Sequence, residues 1–139
     1  MSYSFANTAN SPQGTYYASV SYGASNSAPP AAWISQNIPT VIPNTHYSFS
    51  AYTRASSANP GCSISFFIAD GNGATGAIGR VLATVPNSSL KNQWAQTTGE
   101  WDTPARIPRD GYSVNVKVSC PAGIGAKSYF FDDLVLIAS

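Results

Sequence analysis

Apolar and polar residues alternate along this chain in short stretches, and no stretch carries the three-to-four-residue apolar spacing of an amphipathic helix. In His46–Arg54, Tyr47, Phe49 and Ala51 share one phase, while Ser48, Ser50, Tyr52 and Arg54 share the other. In Cys62–Ala69, Cys62, Ile64, Phe66 and Ile68 oppose Ser63, Ser65 and Phe67; in Tyr112–Cys120, Val114, Val116, Val118 and Cys120 oppose Ser113, Asn115, Lys117 and Ser119. Successive strand residues point to opposite faces, so the first set in each case is predicted to face a core. Further strands are predicted over Tyr16–Tyr22, Trp33–Ile38, Arg80–Val85, Trp94–Trp101 and Ser128–Ile137. In the last of these, Phe130, Leu134 and Leu136 are assigned inward, with Asp132 in the same phase.

The breaks between strands carry turn chemistry: Ala28-Pro29-Pro30, Ile42-Pro43-Asn44, Asn59-Pro60-Gly61, Asp70-Gly71-Asn72-Gly73, Val85-Pro86-Asn87, Ile107-Pro108-Arg109-Asp110-Gly111 and Pro121-Ala122-Gly123. Proline presets φ and glycine supplies positive φ, which ends a strand and reverses the chain. Short strands at this spacing predict an all-β antiparallel sandwich, and 139 residues without a repeat or linker predict one domain over 1–139.

Composition narrows the class. Charged residues are 9% of the chain, well below the roughly 25% of an average globular protein, and Ser, Thr, Asn, Gly and Pro fill the polar positions. That balance fits an extracellular β protein, Met1 then standing where a leader or an upstream domain was removed; the alternative is a cytosolic protein starting naturally at Met1. A net charge of +1, with seven Lys and Arg that never cluster, gives no footprint for nucleic acid. No apolar run is long enough for a membrane-spanning helix, so membrane insertion is not expected.

Cys62 and Cys120 both fall on the core phase at strand ends, an arrangement suited to a disulfide; two buried free thiols are the alternative. Closing a loop of this length would stabilise the fold by about 4 kcal/mol in the chain-entropy model. The single His46 and two distant cysteines lack zinc spacing.

Several segments, in order, resemble the carbohydrate-binding modules of the CenC type, families 4, 9 and 22. They are Gly14-Thr15-Tyr16-Tyr17-Ala18, Trp33-Ile34-Ser35-Gln36-Asn37-Ile38, Pro43-Asn44-Thr45-His46-Tyr47-Ser48-Phe49-Ser50-Ala51-Tyr52-Thr53-Arg54-Ala55, Trp94-Ala95-Gln96, the Cys120 strand end and Tyr129-Phe130-Phe131-Asp132-Asp133-Leu134-Val135-Leu136. Trp94 matches a structural tryptophan of that family, with Gln96 in phase, and is assigned to the core. The resemblance implies a galactose-binding-like jelly roll that binds carbohydrate without catalysis, as one part of a larger protein. In that family an acidic first strand helps hold a structural calcium, and Met1–Asn10 has no such motif. Asp132 and Asp133 match family acidic positions and are the weak calcium candidates; hydrogen bonding to loop backbone is the alternative.

Sugars offer apolar ring faces rimmed by hydroxyls, so a reader needs outward aromatics and short polar groups. The outward phase holds Trp33, Tyr52, Arg54, Phe67, Asn115 and Lys117, and Trp101 ends a strand beside Glu100 and Asp102; these seven are the candidate ligand-binding residues. No enzyme is expected. Glu100 and Asp102 share one strand face beside a turn, Asp132 and Asp133 are assigned to opposite faces, and His46 has no nucleophile motif to serve. Asp70-Gly71-Asn72-Gly73 lacks the downstream glutamate of a calcium loop, and Asn87-Ser88-Ser89 is a glycosylation sequon in an expected turn. The competing expectation is a structural or adhesion module, of the cell-surface or tail-fibre kind, that assembles through the same aromatics without sugar.

Overall fold

The computed structural model describes residues 2–7, 16–22, 31–56, 62–71, 80–86, 90–121 and 127–139, with side chains for 18–19, 34–56, 62–71, 80–86, 90–121 and 128–139. The described elements are all strands: β1 Ser2–Asn7, β2 Tyr16–Tyr22, β3 Ala31–Ile38, β4 His46–Ala55, β5 Ser63–Asp70, β6 Arg80–Val85, β7 Ala95–Asp102, β8 Tyr112–Ser119 and β9 Lys127–Ala138. They form a five-stranded sheet in the order β1-β2-β9-β4-β7 and a four-stranded sheet in the order β3-β8-β5-β6. Every pairing is antiparallel. Chain neighbours therefore often lie in different sheets, as in a jelly roll. β1 is not among the expected strands; Tyr3 and Phe5 alternate there, but over only six residues.

The inward phases meet as expected at the centre. Phe49 from β4, Phe66 from β5 and Phe131 from β9 are buried in sequence-distant contact, with ring centroids 5.1 Å and 6.1 Å apart across Phe66. Ala51, Ile64 and Val118 fill the space between them and are fully buried. Along one side β7 packs under β6 so closely that a methyl group on Gly99 would run into the Leu82 carbonyl. That contact closes the sandwich where the two sheets have only short strands to offer.

Cys62 and Cys120 are disulfide-bonded, across a sequence separation of 58. Ser63 pairs with Ser119, so the bridge staples two neighbouring strands of the four-stranded sheet just beyond their last ladder pair. The sulfur of Cys120 lies 3.7 Å from the Tyr129 hydroxyl of the opposite sheet. The disulfide expectation holds.

Several phase expectations are corrected; Leu134, assigned inward, is exposed, and Asn115, assigned outward, is buried. Phe67 is fully buried although it alternates out of the core phase. The β5–β6 register shifts between Phe66 and Phe67, which removes strict alternation. Trp101 is only 4% exposed. It pairs with the inward Tyr47 and rests against it and Tyr112, with centroids 5.6 Å and 4.9 Å away. In β9 the inward residues are Tyr129 and Phe131, and Phe130 faces out beside Arg54. An irregularity then follows, with Asp133 at φ 50°, after which Leu136 pairs with Phe49 and packs on the core. Trp94, expected in the core, is half-buried beneath the Arg54 guanidinium at the start of β7.

Candidate functional site

The outer face of the five-stranded sheet is built from β9, β4 and β7. Cross-strand partners share a face, so the register sets its rows: Ile137, Ser48 and Glu100; Val135, Ser50 and Thr98; Asp132, Tyr52 and Gln96. A fourth row is closed by side chains, with Arg54 stacked 4.5 Å from the Phe130 centroid and 5.3 Å from that of Trp94. From Ser48 to Arg54 the rows span about 20 Å along the strands. One depression is lined by Ser48, Ser50, Thr98, Glu100, Val135 and Ile137, a second by Arg54, Asn92, Gln93 and Trp94, and half-buried Tyr52 lies between them.

The second depression has a fixed wall. Ala55 donates its N–H to the Lys91 carbonyl at 3.0 Å, and Gln93 donates to the same carbonyl at 2.7 Å, so the 91–94 segment is strapped to the end of β4. The opposite end of the face is acidic. His46 donates from Nδ1 to Asp102 at 2.6 Å, and its Nε2 is 3.8 Å from Glu100. The hydrogen bond to Asp102 raises the His46 pKa above the ordinary value of 6.5, against a smaller lowering by desolvation. Behind it, Thr103 donates to the Ile42 carbonyl at 2.7 Å and accepts from the Thr45 N–H at 2.8 Å, which ties the 42–45 turn to the end of β7.

The corresponding face of the four-stranded sheet is different. Phe67 and Asn115 are opposite one another and both 0% exposed. Asn115 donates to the carbonyl and hydroxyl of buried Ser113 at 3.1 Å and 3.0 Å. Lys117 is half-buried between Ser65 and Trp33 in the register, and the Trp33 side chain lies outside the described residues.

The seven expected binding residues are thus distributed over three places. Tyr52 and Arg54 share the open face; Phe67, Asn115, Lys117 and, by its backbone, Trp33 belong to the other sheet, where Phe67 and Asn115 are buried; Trp101 is between the sheets. Trp94, Phe130, Gln96 and Thr98 complete the open face and were not singled out for it. The signal for Trp101 was available: its neighbours Glu100 and Asp102 are both charged, and residues on either side of a strand position point the opposite way.

The irregularity in β9 lets Asp132 and Asp133 both border a cleft of about 410 Å³ between the sheets, with Ile34, Val114, Val116 and Phe131. Asp132 Oδ1 accepts the Asp133 N–H at 2.9 Å, the backbone role that was the alternative to calcium. Among the described residues no three His, Cys, Asp or Glu side chains gather as a metal-holding group. The Asn87-Ser88-Ser89 sequon lies outside the described residues.

Solved structures carry the same architecture. A family 16 carbohydrate-binding module superimposes with a TM-score of 0.60 at 15% identity, over 97% of this chain and 84% of that one. The chain has the fold of a carbohydrate-binding module. A structure from a study of promiscuous specificity in carbohydrate-binding modules of the β-sandwich superfamily gives a TM-score of 0.63 at 15% identity, over 98% of this chain and 53% of that one. A cyclase from Fischerella sp. TAU, in complex with 4-(1H-indol-3-yl)butan-2-one, gives 0.57 at 20% identity, over 99% and 72%. No protein-family model and no curated protein matches the sequence. At these identities the likeness establishes the module fold.

Proposed function

We propose that this module binds a polysaccharide or surface glycan, without catalysis, on the outer face of the five-stranded sheet. The observation that carries the reading is Tyr52, between two open depressions, on a face that also offers Ser48, Ser50, Thr98 and Gln96 and has Trp94 and Phe130 in the adjacent row. Aromatic faces stack on sugar rings, and hydroxyl and amide groups supply directional hydrogen bonds to their rims. The fold of carbohydrate-binding modules supports the same role.

Binding rather than turnover is favoured by the acids. Glu100 and Asp102 are both exposed on one strand and both engaged by His46, so they do not face each other across a groove as a hydrolytic pair would. The disulfide fits an oxidising, extracellular setting. Affinity electrophoresis through a panel of soluble polysaccharides tests the reading. Retardation by at least one polymer, lost in Tyr52→Ala, supports it; free migration through every gel together with oligomer formation on sizing would favour the assembly role instead.

A further inference from the structure

Arg54 is held in an unusual way. Its guanidinium carbon lies over two aromatic rings, 4.5 Å from the Phe130 centroid and 5.3 Å from that of Trp94, and buried Nε has no hydrogen-bond partner. No carboxylate among the described residues forms an ion pair with it. The nearest acid in the register, Asp132, is one row along beside Tyr52, and its Oδ1 takes the Asp133 N–H. Arginine carries its donors in the plane of the guanidinium, and aromatic stacking satisfies none of them. The guanidinium is half-buried, and an anionic acceptor in its plane would satisfy those of its donors that border the depression.

The donor edge has somewhere to point. Arg54 lines the depression with Asn92, Gln93 and Trp94, and the 91–94 strap adds exposed Lys91 at the same end. The far end of the face carries Glu100 and Asp102, so charge runs from basic to acidic along the rows. Resting on the glycan-binding reading above, we infer that the Arg54 depression recognises a carboxylate on the sugar, making the ligand a uronic-acid polysaccharide rather than a neutral one. The planar fork of arginine matches the two oxygens of a carboxylate, and Asn92 and Gln93 add hydrogen-bonding groups along the same depression.

The test compares de-esterified polygalacturonate, the same polymer highly methyl-esterified, a neutral β-glucan and a sulfated galactan, each titrated calorimetrically into the full chain at low and moderate salt. The acid polymer should bind at least about tenfold more tightly than its ester, a preference that shrinks with salt. Arg54→Gln should bring the ratio of acid to ester affinity close to one. Arg54→Lys, which keeps the charge and loses the fork, should recover only part of it, with a thermal melt of each variant verifying that it folds. Equal binding of acid and ester, an undiminished ratio in Arg54→Gln, or tighter binding of the sulfated polymer overturns the inference while leaving the glycan-binding reading standing. Binding to none of the four polymers, nor to any of the wider panel, removes that reading itself.

Discussion

Tyr52 on β4 and Phe67 on β5 occupy equivalent outward phases of the two sheets, yet Tyr52 is half-buried beside open depressions and Phe67 has no exposed surface at all. Their neighbours differ in the same sense. Around Tyr52 lie Gln96, Ser50 and Thr98, short polar groups that leave the surface open; opposite Phe67 lies Asn115, buried and bonded to Ser113. In the first sheet the outward phase stays open, and in the second it is buried around Phe67, Asn115 and Ser113.

Phe67→Ala tests the closed side and should cost the most. Removing a fully buried ring leaves a cavity, and unfolding by urea should register a loss of about 3–5 kcal/mol. A loss below 1 kcal/mol would mean that the outward face of β5 is open after all. Replacing both Cys62 and Cys120 with serine should cost about 4 kcal/mol through restored freedom of the unfolded chain, seen as a drop in the urea midpoint. The oxidised protein should show no free thiol.

Tyr52→Ala sharpens the open side. Its stability should change by less than about 1 kcal/mol, while affinity for the bound polysaccharide falls at least about tenfold. The reverse pattern would make Tyr52 a packing residue. The smallest effect belongs to the acidic end. Protonated His46 is favoured by Asp102, so its NMR titration midpoint should lie above 6.5 and fall in Asp102→Asn. Because the folded value is the raised one, the contribution of this contact is complete below pH 6.5 and fades as pH climbs through the raised midpoint.

Much of the fold was legible where alternation was clean. β4 keeps the expected phase over its whole length, from buried Tyr47 to buried Ala55, because Ser48 and Ser50 separate its apolar residues. β8 kept its inward Val116 and Val118 for the same reason. Alternation failed where apolar residues run together. Phe66-Phe67-Ile68 and Tyr129-Phe130-Phe131 contain no polar residue to mark a phase, and each strand also breaks register, near Phe66 and near Asp133.

The candidate site was legible only in part. Tyr52 and Arg54 stood out because polar neighbours in strand phase declared their face, whereas Trp94 and Phe130 join them through side-chain contacts that no spacing encodes. The chain alone determined that short alternating strands would pair into two apolar-faced layers, since a period of two allows nothing else to bury those residues together. Which outward face stayed open was decided by tertiary packing, because exposure depends on what covers a sheet and on where bulges turn its residues, and both are set by contacts distant in sequence.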